Sequence, residues 1–179
     1  MKNSVYFCII LLILGCNRNN SQSELKSVID SYHEYNTHKK RDFPLGDFSE
    51  KRFENYALFC DSLKLKLEAI DSHNLDENDL ISYQLLHFVL KETGVKYHYK
   101  THWNPILSDA GFHSNLTFRV RPISSKKSAL KYLNLLKAIP VYIDQQSALI
   151  EKGLNAGMGQ PLIIFNGYSS TYEQHITKT

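Results

Sequence analysis

The sequence lacks a hydrophobic run long enough to span a membrane. Its strongest apolar stretch, Val5 to Leu14 (VYFCIILLIL), falls well short of the roughly 20 residues a spanning helix needs. It also lacks an excess of one charge: 21 Lys and Arg stand against 18 Asp and Glu, a net +3. The basic runs Lys39-Lys40-Arg41 and Lys126-Lys127 are short, and no nucleic-acid-binding motif accompanies them, so no nucleic-acid partner is expected. There is no Gly-x-Ser-x-Gly elbow to present a serine nucleophile. Gly153, Gly157 and Gly159 form a glycine-rich stretch, but it lacks the Lys-Ser/Thr of a phosphate loop and follows a helix instead of preceding one. Asp76, Glu77 and Asp79 are placed as helix-start charges, not as an acid–base pair. No internal repeat is present. What remains is ordinary globular material: 179 residues, 42% apolar and 22% charged, enough for a domain with a core of its own.

The N-terminus is the most legible segment. A short basic start, Met1-Lys2-Asn3, leads into the Val5–Leu14 run, which has the proportions of a secretory leader. Ile13-Leu14-Gly15-Cys16 follows, and then the polar stretch NRNNSQS. An apolar residue, a small residue and then cysteine resembles a bacterial lipobox. That resemblance implies a lipoprotein signal peptide over 1–15 and a lipid-bearing Cys16 as first residue of the mature chain. It also implies anchoring in the cell envelope. Asn17 in place of aspartate points to the outer membrane. Acyl chains, palmitate among them, with an acylated amine exceed the two signals that stable attachment requires. The chain has three cysteines. With Cys8 removed and Cys16 lipidated, only Cys60 remains, so no intramolecular disulfide is expected. Cys60 lies on an apolar helical stripe and reads as a small buried hydrophobe.

The remainder reads as mainly α. Residues 16–24 are expected to be a polar tether, with a helical domain over 25–179. A helix is expected from Leu25 to about Lys40, until Phe43-Pro44-Leu45-Gly46-Asp47 breaks it. The next spans about 50–72, with Phe53, Tyr56/Ala57, Cys60, Leu63, Leu67 and Ile70 inward and Glu50 in its first turn. A third opens at Asp76 and uses Leu80, Tyr83, Leu86 and Leu90. Leu116, Phe118 and Val120 alternate with polar residues, so an extended segment is expected near 116–121. Lys126 to Ile139 is expected to be a helix with Leu130, Leu133 and Leu136 inward. Pro140 suits the first turn of a following helix over about 141–153, with Tyr142, Gln146 and Leu149 inward and Gly153 as C-cap.

Two stretches raise a metal question. His33-Glu34-Tyr35-Asn36-Thr37-His38 (HEYNTH) resembles a zinc-protease helix, but its second histidine stands at i+5. On an α-helix, i and i+4 differ by about 40° around the axis, whereas i and i+5 differ by about 140°. His33 and His38 cannot share an ion there, and Tyr32 is expected to be the inward residue. His98-Tyr99-Lys100-Thr101-His102 (HYKTH) has the correct spacing if the helix continues through it. Tyr99, however, stands where the general-base glutamate of H-E-x-x-H would be, and no third ligand is assigned. No metal or catalytic residue is therefore expected in this chain, and Cys16 is the one modified site expected.

Three stretches taken together resemble a known family: Leu63 to Leu90 (LKLKLEAIDSHNLDENDLISYQLLHFVL), Trp103 to His113 (WNPILSDAGFH), and Tyr132 to Pro161 (YLNLLKAIPVYIDQQSALIEKGLNAGMGQP). In this order and spacing they are similar to the N-terminal part of the bacterial family called domain of unknown function 885. The similarity covers about 50–161 and reaches back towards Leu25. It implies an irregular multi-helix array, part of a larger helical fold similar to zinc-dependent carboxypeptidases and oligopeptidases. In that family the H-E-x-x-H-type helix lies in the C-terminal half. The expectation is thus an N-terminal fragment of a lipid-anchored, metallopeptidase-like hydrolase, inactive alone. Zinc is expected only in a full-length member, and the missing half and the membrane are the expected partners. The alternative is a non-enzymatic helical lipoprotein that acts as a binding or scaffold module.

Overall fold

The computed structural model describes residues 2–37, 43–107, 110–112 and 122–167, with side chains from Asn20 onward, except those of 107 and 110. Four α-helices dominate these residues: α1 (Lys2–Thr37), α2 (Glu50–Glu68), α3 (Glu77–His98) and α4 (Lys126–Asn155). A two-residue hairpin, β1 (Ile106–Leu107) against β2 (Ala110–Gly111), pairs Ile106 with Gly111. The mainly α expectation holds. The extended segment expected near 116–121 lies outside the described residues. The chain divides into two compact units, Met1–Lys39 with Glu54–His98, and Lys40–Phe53 with Tyr99–Thr179.

In the first unit the helical periodicity of the sequence becomes a core. Leu25 and Val28 of α1, Cys60, Leu63 and Leu67 of α2, Ile70, and Leu86 and Leu90 of α3 form one buried cluster. These are the positions that step by three and four residues along each helix, so each helix turns its apolar stripe to the same centre. Each fully buried leucine contributes about 1.5–3 kcal/mol. Cys60 is fully buried, as its place on the stripe requires. At the cluster's edge Tyr35 stacks on Phe59, with ring centroids 4.0 Å apart.

Helix starts follow the acidic residues. Asp76 Oδ1 accepts the Asp79 backbone N–H at 2.9 Å, and its Oδ2 accepts Gln22 Nε2 at 3.1 Å. One carboxylate thus caps α3 and ties it to α1. Asp76→Ala is expected to destabilise this unit by about 1–2 kcal/mol. Asp76→Asn is expected to retain most of that stability, because its amide oxygen still caps. Thermal melts of both variants, followed by helicity, measure the difference.

The helix α1 departs from expectation. It does not begin at Leu25: it is continuous from Lys2, and the polar residues 16–24 expected as a tether are helical. Ser21 is buried, and Asn20 bonds Glu24 one turn on. No proline precedes Pro44, so nothing interrupts the hydrogen-bond ladder once it has started. Among the described residues no helix is long and apolar enough to cross a membrane.

In the second unit α4 corrects three expectations. Pro140 does not start a new helix but lies inside one of 30 residues. Proline there leaves the Leu136 carbonyl without its intrahelical donor. Both residues are exposed, and the helix continues through Pro140. The inward stripe also shifts. Tyr142, Gln146 and Leu149 are buried as expected, and Gly153 is buried with them. Their row extends backward through the half-buried Ile139, Leu135, Tyr132 and Ser128. Leu130, Leu133 and Leu136 are exposed, at 54%, 49% and 42%. The continuity of the helix through Pro140 sets this register. Finally, Gly153 is not the C-cap. Met158 N–H bonds the Gly153 carbonyl at 2.8 Å and Gly157 N–H bonds the Leu154 carbonyl at 3.0 Å. Gly157 has φ +77°, which makes this a Schellman ending one turn later.

At its other end α4 carries a capping box. Ser125 Oγ accepts the Ser128 backbone N–H, and the Ser128 hydroxyl oxygen accepts the Ser125 backbone N–H at 2.9 Å. Ser125→Ala is expected to cost about 1 kcal/mol of stability. Chemical denaturation followed by helicity would measure it.

Candidate functional site

The two histidine-bearing stretches form no shared site among the described residues. His33 is exposed on α1, and Tyr32 is the residue packed against the core; His38 lies outside the described residues. HYKTH is not one helix. α3 ends at His98, Lys100 adopts a left-handed φ of 56°, and Thr101–Trp103 forms a 3-10 turn. A non-glycine residue in that region ends helical propagation, so His98 and His102 never acquire the i, i+4 geometry. Among the described residues, no group of three His, Cys, Asp or Glu could hold a metal ion. The side chain of Cys16 is outside the described set, so its lipidation is a matter of sequence alone.

The most concentrated polar chemistry lies in the second unit, at Glu50. Its Oε1 accepts His102 Nε2–H at 3.2 Å, and its Oε2 accepts the Trp103 indole N–H at 2.7 Å. Lys152 Nζ stands 3.4 Å from the same Oε2. Ser49 places Glu50 here by capping α2, its hydroxyl accepting the Arg52 N–H at 3.2 Å. His102 is stacked on Phe53, with centroids 4.4 Å apart, and its side chain is only 6% exposed. Lys100 lies over the Trp103 ring at 5.5 Å. Burial would raise the Glu50 carboxyl, but hydrogen bonds from Trp103 and His102, with the charges of His102 and Lys152, bring it below its ordinary 4.5. Burial lowers His102 below 6.5, and the hydrogen bond and charge of Glu50 only partly offset this.

Beside Trp103 the backbone is tight. A Cβ on Gly153 would sit 2.5 Å from the Trp103 carbonyl oxygen. By its sequence Glu50 reads as a helix-start charge and Gly153 as a cap. Trp103 and Glu151-Lys152-Gly153 lie in separate stretches that no sequence spacing links. The signal available was a lone tryptophan, whose indole N–H needs an acceptor when covered.

Elsewhere in this unit, Gln145 bridges backbone and side chain: its Oε1 accepts Phe48 N–H at 2.8 Å and its Nε2 donates to Asp47 Oδ1 at 3.3 Å. The Tyr142 hydroxyl donates to the Phe112 carbonyl at 3.1 Å. A cleft of about 290 Å³ is lined by Phe43 to Gly46 and by Asn134, Lys137, Val141 and Tyr142 of α4. It brings together no nucleophile and base. The Glu50 cluster likewise surrounds a carboxylate with donors, which is the arrangement of a structural clamp and not of an acid–base pair.

These features define a helical protein whose described residues hold packing and clamping chemistry. The family model for "Bacterial protein of unknown function (DUF885)" matches residues 33–179. The chain belongs to that family. No curated protein and no solved structure matches it.

Proposed function

We propose that this chain is the N-terminal portion of a lipid-anchored, metallopeptidase-like hydrolase of this family, held in the bacterial cell envelope through Cys16. In this reading the anchor lies on the outer membrane. The residues that would bind zinc lie beyond this chain, which supplies helical scaffold and has no activity alone.

The observation that carries this reading is the outer face of α3. Leu86 and Leu90 fill the core on one side. Ile81, Leu85, Phe88 and Val95 lie on the opposite side, with exposures of 50%, 62%, 62% and 39%. A helix apolar on both faces is typical of the interior of a larger protein. The family resemblance supports the hydrolase class, and the lipobox-like Ile13-Leu14-Gly15-Cys16 supports the anchor.

Two experiments test the reading. Cells fed an alkyne-bearing fatty acid should label the wild-type protein in the envelope fraction, and Cys16→Ser should abolish the label; equal labelling would remove the anchor. The purified chain should not hydrolyse peptides. Chelator-sensitive hydrolysis by it would overturn the proposed division of labour.

A further inference from the structure

The sequence separates its charges along the chain. Between Asp109 and Asp144 there is no acidic residue, while six Lys and Arg occur. The remaining 15 Lys and Arg stand against all 18 Asp and Glu, so a chain of net +3 carries +6 in this stretch and −3 elsewhere. Four of the six, Lys126, Lys127, Lys131 and Lys137, lie on the first half of α4, and all four are exposed. Among the described residues none of them enters an ion pair. The same length of helix exposes Leu130, Leu133, Leu136 and Val141. We propose that this face of α4 is an interfacial helix that lies on a membrane surface of anionic lipid headgroups. The inference does not rest on the hydrolase reading, and it adds to the proposed anchor a contact made by the folded chain.

Successive residues of an α-helix are rotated by about 100°. Leu130, Leu133 and Leu136 thus spread over an arc of about 120°, opposite the buried row of Tyr142, Gln146 and Leu149. Lys126 and Lys137 fall inside that arc, at about 40° and 20° from Leu130, and Lys127 and Lys131 flank it. The core of a protein interface is depleted in lysine, so lysines set among the leucines argue against a protein cover. At a lipid surface the same mixture is favourable. Leucines enter the acyl boundary, and the lysine stems follow them while the ammonium groups stay with the phosphates. A basic face interleaved with apolar residues is the composition of a helix that lies on membranes. Each lysine brought to an anionic surface strengthens binding about fivefold.

The test places an indole on the face with Leu133→Trp, and the wild type, with Trp103 alone, supplies the background. The purified chain is mixed with phosphatidylcholine vesicles, with or without one quarter phosphatidylglycerol, whose acyl chains are brominated near the headgroup. The added emission should be quenched on the phosphatidylglycerol vesicles and not on phosphatidylcholine alone. Lys126→Gln and Lys137→Gln in that background should each weaken vesicle affinity about fivefold. Leu85→Trp should show no such quenching, because on α3 Glu77, Asp79 and Glu92 accompany Lys91 and Lys96.

The membrane face is refuted if Leu133→Trp is quenched no more than the wild type, or if phosphatidylcholine alone quenches it equally. Unchanged affinity in the lysine variants, or equal quenching of Leu85→Trp, overturns it as well. Should Leu133→Trp lack the wild-type helicity, backbone amide exchange of the wild type decides. Slower exchange over 126–141 on the phosphatidylglycerol vesicles than on phosphatidylcholine supports the proposal, and equal exchange overturns it.

Discussion

Leu90→Ala is expected to destabilise the first unit by about 3 kcal/mol, within the range of roughly 2–5 for such truncations. Leu90 is fully buried in the cluster that Leu25, Cys60, Leu63, Leu67 and Leu86 complete. Its neighbours come from three helices, each fixed by its own backbone hydrogen bonds, so the space left by the isobutyl group cannot close fully. Urea denaturation followed by helicity would show the midpoint fall with an unchanged slope. Leu85→Ala on the same helix is the control. Leu85 is 62% exposed, and in this chain its loss should change stability by no more than about 0.5 kcal/mol. A large effect at Leu85 would mean that the outer face of α3 is already covered in solution.

Gly153→Val is expected to disrupt the second unit, with a net loss of about 2 kcal/mol or more. On an exposed helix, replacing glycine with a residue of higher helix propensity is favourable, by up to about 1 kcal/mol for alanine. At Gly153 the sign reverses, because the new Cβ would lie 2.5 Å from the Trp103 carbonyl oxygen. That oxygen cannot retreat easily. Trp103 N–H is bonded to the Lys100 carbonyl at 2.9 Å, and its indole is held by Glu50. Thermal melts with Trp103 emission would measure the effect. Gly94→Ala in α3 should do the opposite. There the Cβ meets only the Asp61 carboxylate oxygen, at 3.1 Å, and that side-chain end can move. A gain of up to about 1 kcal/mol is expected. Destabilisation at Gly94 matching that at Gly153 would show that the backbone contact at Trp103 is not the cause.

The elements were legible where local chemistry decides them. The three- and four-residue steps from Ala57 to Leu67 placed α2 and its buried face. Asp76 marked the start of α3, and Asp71 caps the 3-10 turn that follows α2. Pro140 misled because proline can either start a helix or sit within one, and only exposure of its lost partner decides which. The Glu50 cluster was not legible. His102, Trp103 and Lys152 stand 52, 53 and 102 positions from Glu50, and no local pattern pairs a helix-start glutamate with a distant indole and ammonium.

By itself, then, the sequence determined the helical class, the inward stripes of α2 and α3, the burial of Cys60, and the family to which the chain belongs. These follow from residue spacing and composition, which act within a turn or two of chain. Only the tertiary structure decided the register of α4, the role of Gly153 and the convergence on Glu50. Each of those depends on which distant backbone or side chain comes within about 3 Å, and close approach is a property of packing that helical periodicity does not encode.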